Sequence, residues 1–280
     1  ELIKSLMECE TGRLGVVRPT FEEYPNRFPR ERTVSFRPAG EALRYGADDL
    51  MEFFSSNHVD ALLLINPDNP SGNFIPKADV LRLAAWAHEK GVRLVVDESF
   101  VDFSDDFGNN SLLRDDILET YPSMVVVKSI SKSYGVPGLR LGVIASANED
   151  LISHVRRDIS IWNLNSFAEF YMQIFGKYEA DYVEACHRFI AERTRFMALL
   201  SACPLLDVFP SQANYFMIEL TNASVRDVTK QLLTEYNLLV KDLYDKLGGK
   251  EYMRIAIRNK EDNDKLVQAL REVLLKKGDR

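Results

Sequence analysis

Apolar residues follow two rhythms along this chain. Apolar-rich runs recur in the first half, unbroken at Ala61 to Ile65 and Met124 to Val127 and interrupted only by Arg93 in Val92 to Val96 and Gly142 in Leu141 to Ala145. Short runs without polar alternation predict strands buried on both faces. Between them, apolar residues fall three and four apart. Leu50, Phe53 and Phe54 predict a short helix over Ala47 to Ser55. Val80, Leu81, Leu83, Ala84 and Ala87 predict another over Lys77 to Lys90, closed by Gly91. Ser111 to Glu119 reads as a third. Leu2, Ile3, Leu6 and Met7 share one face of an opening helix, Gly12 to Tyr24 reads as strand and turn, and Thr33 to Phe36 as a short strand in an irregular stretch. Strands alternating with helices predict an α/β fold, a mostly parallel sheet covered by helices.

After Asn148 the rhythm changes. Helical spacing over Glu149 to Ile159 is interrupted at Trp162 to Asn165, then resumes through Phe170 to Phe175 and Glu179 to Leu200. Beyond it, Val208-Phe209, Tyr215 to Leu220 and Met253 to Ile257 read as strands, with helices over Val225 to Tyr236 and Glu261 to Leu275. The expected organisation is a large domain over 1–165, a long inter-domain helix over 166–205, and a smaller C-terminal α+β domain over 206–280.

Composition narrows the function classes. A length of 280 residues with 46% hydrophobic content can bury one large core or two modest ones. The net charge of −7 argues against a nucleic-acid or anionic-membrane surface. No apolar run approaches the ~20 residues of a membrane span, and the opening residues carry no signal-peptide pattern. Cys9, Cys186 and Cys203 are odd in number and far apart, so they read as reduced residues of a cytoplasmic protein. Four scattered histidines give no metal-ligand spacing.

The chemistry concentrates after the Met124–Val127 run, in Ser129-Ile130-Ser131-Lys132 followed by Gly138-Leu139-Arg140-Leu141-Gly142. An amine flanked by hydroxyls, with a guanidinium eight residues on, suits a phosphorylated aldehyde. The amine can form a Schiff base, and the hydroxyls and guanidinium can hold a phosphate. The same residues would also suit a plain solvated loop. In parallel sheets ligands bind outside the carboxyl ends of the strands, and Asn69, Asp97 and Lys132 all fall just past such ends. Asp97 can keep a pyridine nitrogen protonated, or else hold Mg²⁺ near a nucleotide, but no phosphate-binding G-x-x-x-x-G-K-[ST] loop accompanies it. Arg254 sits between apolar neighbours in Tyr252 to Ile257, where its charge needs an anionic partner. A substrate carboxylate and an internal salt bridge both answer that need.

Taken together, Asn69-Pro70-Ser71-Gly72, Asp97-Glu98-Ser99-Phe100, Ser129-Ile130-Ser131-Lys132 and Gly138 to Gly142 resemble, in order, the motifs of the class I/II aminotransferase family of fold-type-I pyridoxal-phosphate enzymes. The resemblance runs from Glu1 to about Leu275 and is nearest the histidinol-phosphate aminotransferase and threonine-phosphate decarboxylase branch. It implies pyridoxal 5'-phosphate as cofactor, Lys132 as the Schiff-base lysine and Asp97 as the partner of the ring nitrogen. It places Asn69 at the phenolic oxygen, Ser129, Ser131 and Arg140 around the phosphate, and Phe21 on the ring face. Arg254 falls to the substrate carboxylate, with Trp162 and Asn165 also assigned to the substrate. Two departures stand out. Phe100, at the cofactor's phenolic oxygen, replaces the family's usual tyrosine, and Arg258 stands where histidinol-phosphate aminotransferases usually have glycine. Strand alternation would put Arg258 on the face of Arg254, available to a second anionic group.

The resemblance also implies that roughly the first quarter to third of a full-length enzyme, including a phosphate-binding turn, precedes Glu1. The expected function is transamination of a small, phosphorylated amino acid by a homodimer. The alternatives are decarboxylation of an O-phospho or phosphono amino acid, and a non-catalytic fragment or interaction domain.

Overall fold

The computed structural model describes residues 1–203 and 205–278. Its first sheet has six strands: β1 (Leu14–Val17), β2 (Thr33–Phe36), β3 (Ala61–Ile65), β4 (Arg93–Asp97), β5 (Met124–Ser129) and β6 (Gly142–Ala145). Their order is β2-β1-β3-β4-β5-β6, with β1 to β5 parallel and β6 antiparallel to β5.

The apolar runs are explained by two cores, one on each face. Leu62, Leu64, Leu94, Val96 and Val126 point to the side covered by α2 (Ala47–Ser56), α3 (Lys77–Glu89) and α4 (Asp115–Thr120). Ala61, Leu63, Ile65, Val95, Val125 and Val127 point to the opposite side, packing with residues of α1 (Leu2–Glu8) and α5 (Glu149–Asp158) and with Tyr24 and Phe28. A two-residue period feeding two buried faces leaves polar residues to the strand ends, at Arg93, Asp97, Lys128 and Ser129.

Local chemistry sets the helix ends. The Leu151 amide donates to Asn148 Oδ1 at 2.9 Å, and acidic Glu149 and Asp150 open α5 while Arg156 and Arg157 close it, complementing the helix dipole. Gly91 follows α3 at φ +69°, a conformation that glycine adopts without a Cβ penalty. The helix expected from Ser111 begins at Asp115. Buried Glu98 takes the Ser111 hydroxyl and, at 2.7 Å, the Leu112 amide, so these residues are held outside the helix.

The long helix expected over 166–205 is two helices, α6 (Ser166–Phe175) and α7 (Glu179–Ser201). The amides of Lys177 and Tyr178 turn back to the carbonyls of Ile174 and Phe175 and end the first. The second sheet is antiparallel, ordered β7-β8-β10-β9 from β7 (Leu206–Val208), β8 (Tyr215–Leu220), β9 (Lys241–Asp242) and β10 (Tyr252–Ala256). With α7, α8 (Val225–Tyr236) and α9 (Lys260–Gly278) it builds a separate core around Phe196, Phe216, Ile218, Ile255 and Leu270. Among the described residues no helix is long and apolar enough to cross a membrane.

Candidate active site

The loops after β3, β4 and β5 border an open cleft of about 1160 Å³. All eight residues that the sequence nominated for a cofactor line it: Phe21, Asn69, Asp97, Phe100, Ser129, Ser131, Lys132 and Arg140.

Asp97 ends β4 and is buried. Its Oδ1 accepts the Ser99 amide at 2.9 Å and its Oδ2 accepts the Tyr24 phenol at 2.8 Å. Burial, and then the Asp97 charge, push that phenol well above the ordinary tyrosine pKa, so it stays a donor. The carboxylate is thereby fixed in place at the floor of the cleft.

Two lysines compete for the role of nucleophile, and their surroundings separate them. Lys128, on β5, is buried, with Nζ 2.7 Å from Asp102 Oδ1 and 3.9 Å from Glu98 Oε1. Lys132 lies three residues past β5 in a turn closed by Tyr134 N to Ile130 O and Gly135 N to Lys132 O, both 3.2 Å. Its Nζ has no hydrogen-bond or ion-pair partner among the described residues and sits 4.4 Å over the Phe100 ring. Protein packed around it lowers its pKa. Asp97 opposes that shift, while Arg140 and Arg254 add to it. An unpaired amine of reduced basicity is the better nucleophile.

At one end of the cleft the Ser129 and Ser131 hydroxyls join the Arg140 guanidinium. Arg140 adopts φ +58°, and its guanidinium donates to the Pro137 carbonyl at 3.3 Å, which leaves its other N–H groups able to take an anion. Beside Asn69 the second sheet comes close to the cleft. Arg254 Nη1 donates to Asn69 Oδ1 at 2.7 Å, and its guanidinium carbon lies 4.8 Å from the centre of the Tyr215 ring. Tyr215 meets Phe100 edge-on at 5.2 Å and donates to the Asp68 carbonyl at 2.6 Å.

The remaining nominees lie elsewhere. Arg258 lies two residues beyond the end of β10; the alternation in burial continues, with Ile255 and Ile257 buried, but the Arg258 side chain turns to Asp262. It is exposed, and its Nε donates to Asp262 Oδ2 at 2.7 Å. Trp162 is 91% exposed, and Asn165 caps α6 through the Ala168 amide at 3.0 Å. Their neighbours Asn163 and Leu164 line the cleft instead. Sequence reasoning missed Tyr24, Tyr215 and Asp102. Tyr24 lies 73 residues before its partner, and no local pattern joins them.

The chain belongs to the aminotransferase class I and II family, whose model matches residues 12–270. It is 30% identical over 277 residues to the CMP-5'-(3-aminopropyl)phosphonate synthase of Streptomyces rubellomurinus, covering 98% of this chain and 43% of that protein. It is 31% identical over 286 residues to the L-serine phosphate decarboxylase of Sulfurospirillum multivorans, covering 98% and 71%. A solved decarboxylase structure from that organism superposes with a TM-score of 0.88 at 29% identity, covering 98% of this chain and 79% of that one. The histidinol-phosphate aminotransferase of Thermoanaerobacter pseudethanolicus is 28% identical over 235 residues, covering 84% and 63%. The chain thus spans less than half of the synthase and about seven tenths of the decarboxylase.

Pyridoxal phosphate is the cofactor of this family. The donor set in the cleft suits it: an unpaired amine for the aldehyde, a buried carboxylate for the ring nitrogen, and two hydroxyls with a guanidinium for the phosphate.

Proposed function

We propose that the chain forms the catalytic part of a pyridoxal-phosphate enzyme acting at Cα of a small amino acid that carries a phosphate or phosphonate. The observation that carries this reading is the unpaired Lys132 amine in one cleft with the buried Asp97 carboxylate. When bound, pyridoxal phosphate supplies an electron sink for negative charge developing at Cα. The protein's own groups do the rest. Lys132 attaches the cofactor and then holds or moves the proton at Cα, a task suited to an amine of lowered pKa. Asp97, held by Tyr24 and Ser99, accepts a hydrogen bond from the ring nitrogen. Ser129, Ser131 and Arg140 take the phosphate, Phe21 and Phe100 wall the ring, and Asn69 offers its amide to the phenolic oxygen. Arg254 orients the substrate carboxylate, with Asn69 and Tyr215 fixing the guanidinium plane.

Of the two reactions, decarboxylation is favoured by the 31% likeness to the serine phosphate decarboxylase. Transamination is the second reading, on the 28% likeness to the histidinol-phosphate aminotransferase. We also infer the division into 1–165, 166–205 and 206–280 and a homodimer. The exposed Ile161, Trp162, Phe167 and Phe170 offer an apolar surface for the second copy. The chain loaded with pyridoxal phosphate, given O-phosphoserine with and without 2-oxoglutarate, distinguishes the reactions. Release of carbon dioxide without the oxo acid supports decarboxylation, glutamate formation supports transamination, and neither product removes the proposal.

A further inference from the structure

A second, smaller pocket of about 390 Å³ opens beside the segment that carries Phe21. Phe21 lines the large cleft, whereas its neighbours Arg18 and Glu22 line the small pocket. Arg18 follows β1, Arg30 and Arg37 flank β2, and Lys246 enters from the loop between β9 and β10. Four cations therefore converge on one recess, and Glu22, ion-paired to Arg18, is the acidic residue lining it. Neither the Arg30 nor the Arg37 guanidinium has a hydrogen-bond or ion-pair partner among the described residues. Lys246 donates to the Thr20 carbonyl. Burial lowers the Lys246 pKa. Glu22 opposes this, and Arg254 and Arg18 lower it further.

In a chain of net charge −7 this local excess of positive charge is not a sample of the average surface. Four cations with a single carboxylate, Glu22, in the lining still repel one another, and a multivalent anion would remove that cost. We propose that this pocket binds a phosphate group, either the phosphate of a substrate whose carboxylate lies at Arg254 or a free phosphate.

Three features select phosphate. The lining gathers three arginines and a lysine, guanidinium forks match phosphate oxygens in pairs, and Asn26, Thr33 and Ser35 add polar groups around them. Because Lys246 lies in a loop of the second sheet and the arginines adjoin β1 and β2 of the first, a bound phosphate ties the two sheets together beside the large cleft. The site does not depend on the reaction proposed above.

The test is calorimetric titration of the chain with inorganic phosphate at saturating pyridoxal phosphate, which fills the Ser129–Arg140 end of the large cleft. Saturable binding is expected, weakened by about tenfold or more in Arg30→Gln/Arg37→Gln and separately in Lys246→Met. Absence of saturable binding, or an unchanged Kd in both variants, overturns the proposal. Competition then identifies the source. Mutual displacement by O-phosphoserine assigns the pocket to the substrate's phosphate, and simultaneous binding assigns it to a free phosphate. Phosphate binding in a chain that takes up no pyridoxal phosphate would leave the pocket standing and remove the catalytic reading instead.

Discussion

Lys132 Nζ stands 4.4 Å from the centre of the Phe100 ring, a cation over a π-face. The ring favours the charged ammonium, so it works against the burial that lowers the Lys132 pKa. Phe100→Leu removes the ring's contribution. We expect the pH at which Lys132 becomes reactive towards an amine reagent to fall by less than about one unit in the cofactor-free chain, since such contacts amount to ~0.5–1 kcal/mol. Mass-spectrometric labelling of Lys132 against pH gives the answer. A shift upward would mean that the ring acts on Lys132 chiefly by excluding water.

The sheet and the lysine turn were legible in the sequence because both are written locally. Ala61 to Ile65 forms β3 as read, and the strand after it moves by one residue, from Val92–Val96 to Arg93–Asp97, with Val92 bonded to the end of α3 through the Ala87 carbonyl. Illegible features depend on distance. Glu98 reaches forward to delay α4, Tyr24 reaches across the sheet to Asp97, and Arg258 falls off the end of a strand whose last residue periodicity alone could not fix. Burial still alternates past Ala256, with Ile257 buried and Arg258 exposed, but the Arg258 side chain pairs with Asp262 on α9, a contact that no strand pattern announces.

Three buried phenols should limit stability in alkali. Tyr24, Tyr45 and Tyr215 are each held well above the ordinary tyrosine pKa, first by burial and then by a nearby carboxylate, Asp97 for Tyr24 and Asp68 for the other two. In the unfolded chain they ionise near pH 10. Their contribution is therefore complete below about pH 10 and is lost as pH rises towards the folded values. With three protons retained only by the folded state, the slope is roughly 4 kcal/mol per pH unit. Urea midpoints measured on either side of pH 10 should show this fall, and Tyr45→Phe should make it shallower. A midpoint independent of pH there would contradict the burial of these hydroxyls.

Arg254 and Arg258 should behave differently on truncation. Arg254→Ala removes the donor to Asn69 Oδ1 and the proposed carboxylate contact, so the KM for O-phosphoserine should rise about tenfold to a hundredfold. Arg258 is paired with Asp262 on the surface, where such a pair contributes little, and Arg258→Ala should change KM by less than about threefold. A large and phosphate-specific loss in Arg258→Ala would show that the loop after β10 rearranges to bring this guanidinium to the substrate.

Asp102 joins the two sides of the lysine turn. Its Oδ1 accepts Lys128 Nζ at 2.7 Å, on the strand four residues before Lys132, and its Oδ2 accepts the Ser133 hydroxyl at 2.8 Å, one residue after it. Asp102 itself lies five residues past Asp97, so one carboxylate ties the loop carrying Asp97 and Phe100 to the turn carrying Lys132. Asp102→Ala leaves the Lys128 ammonium buried without its nearest partner, and should cost about 3–5 kcal/mol of stability. Replacing both charges, Lys128→Met with Asp102→Leu, removes that penalty and should recover most of the stability, since an apolar pair of similar volume packs in its place. The Ser133 anchor stays absent in the double variant. If Asp102 positions Lys132, the double variant should fold near normally, yet attach pyridoxal phosphate more weakly and show a changed pH profile for labelling of Lys132. Recovery of stability together with an unchanged Lys132 profile would reduce Asp102 to a structural ion pair.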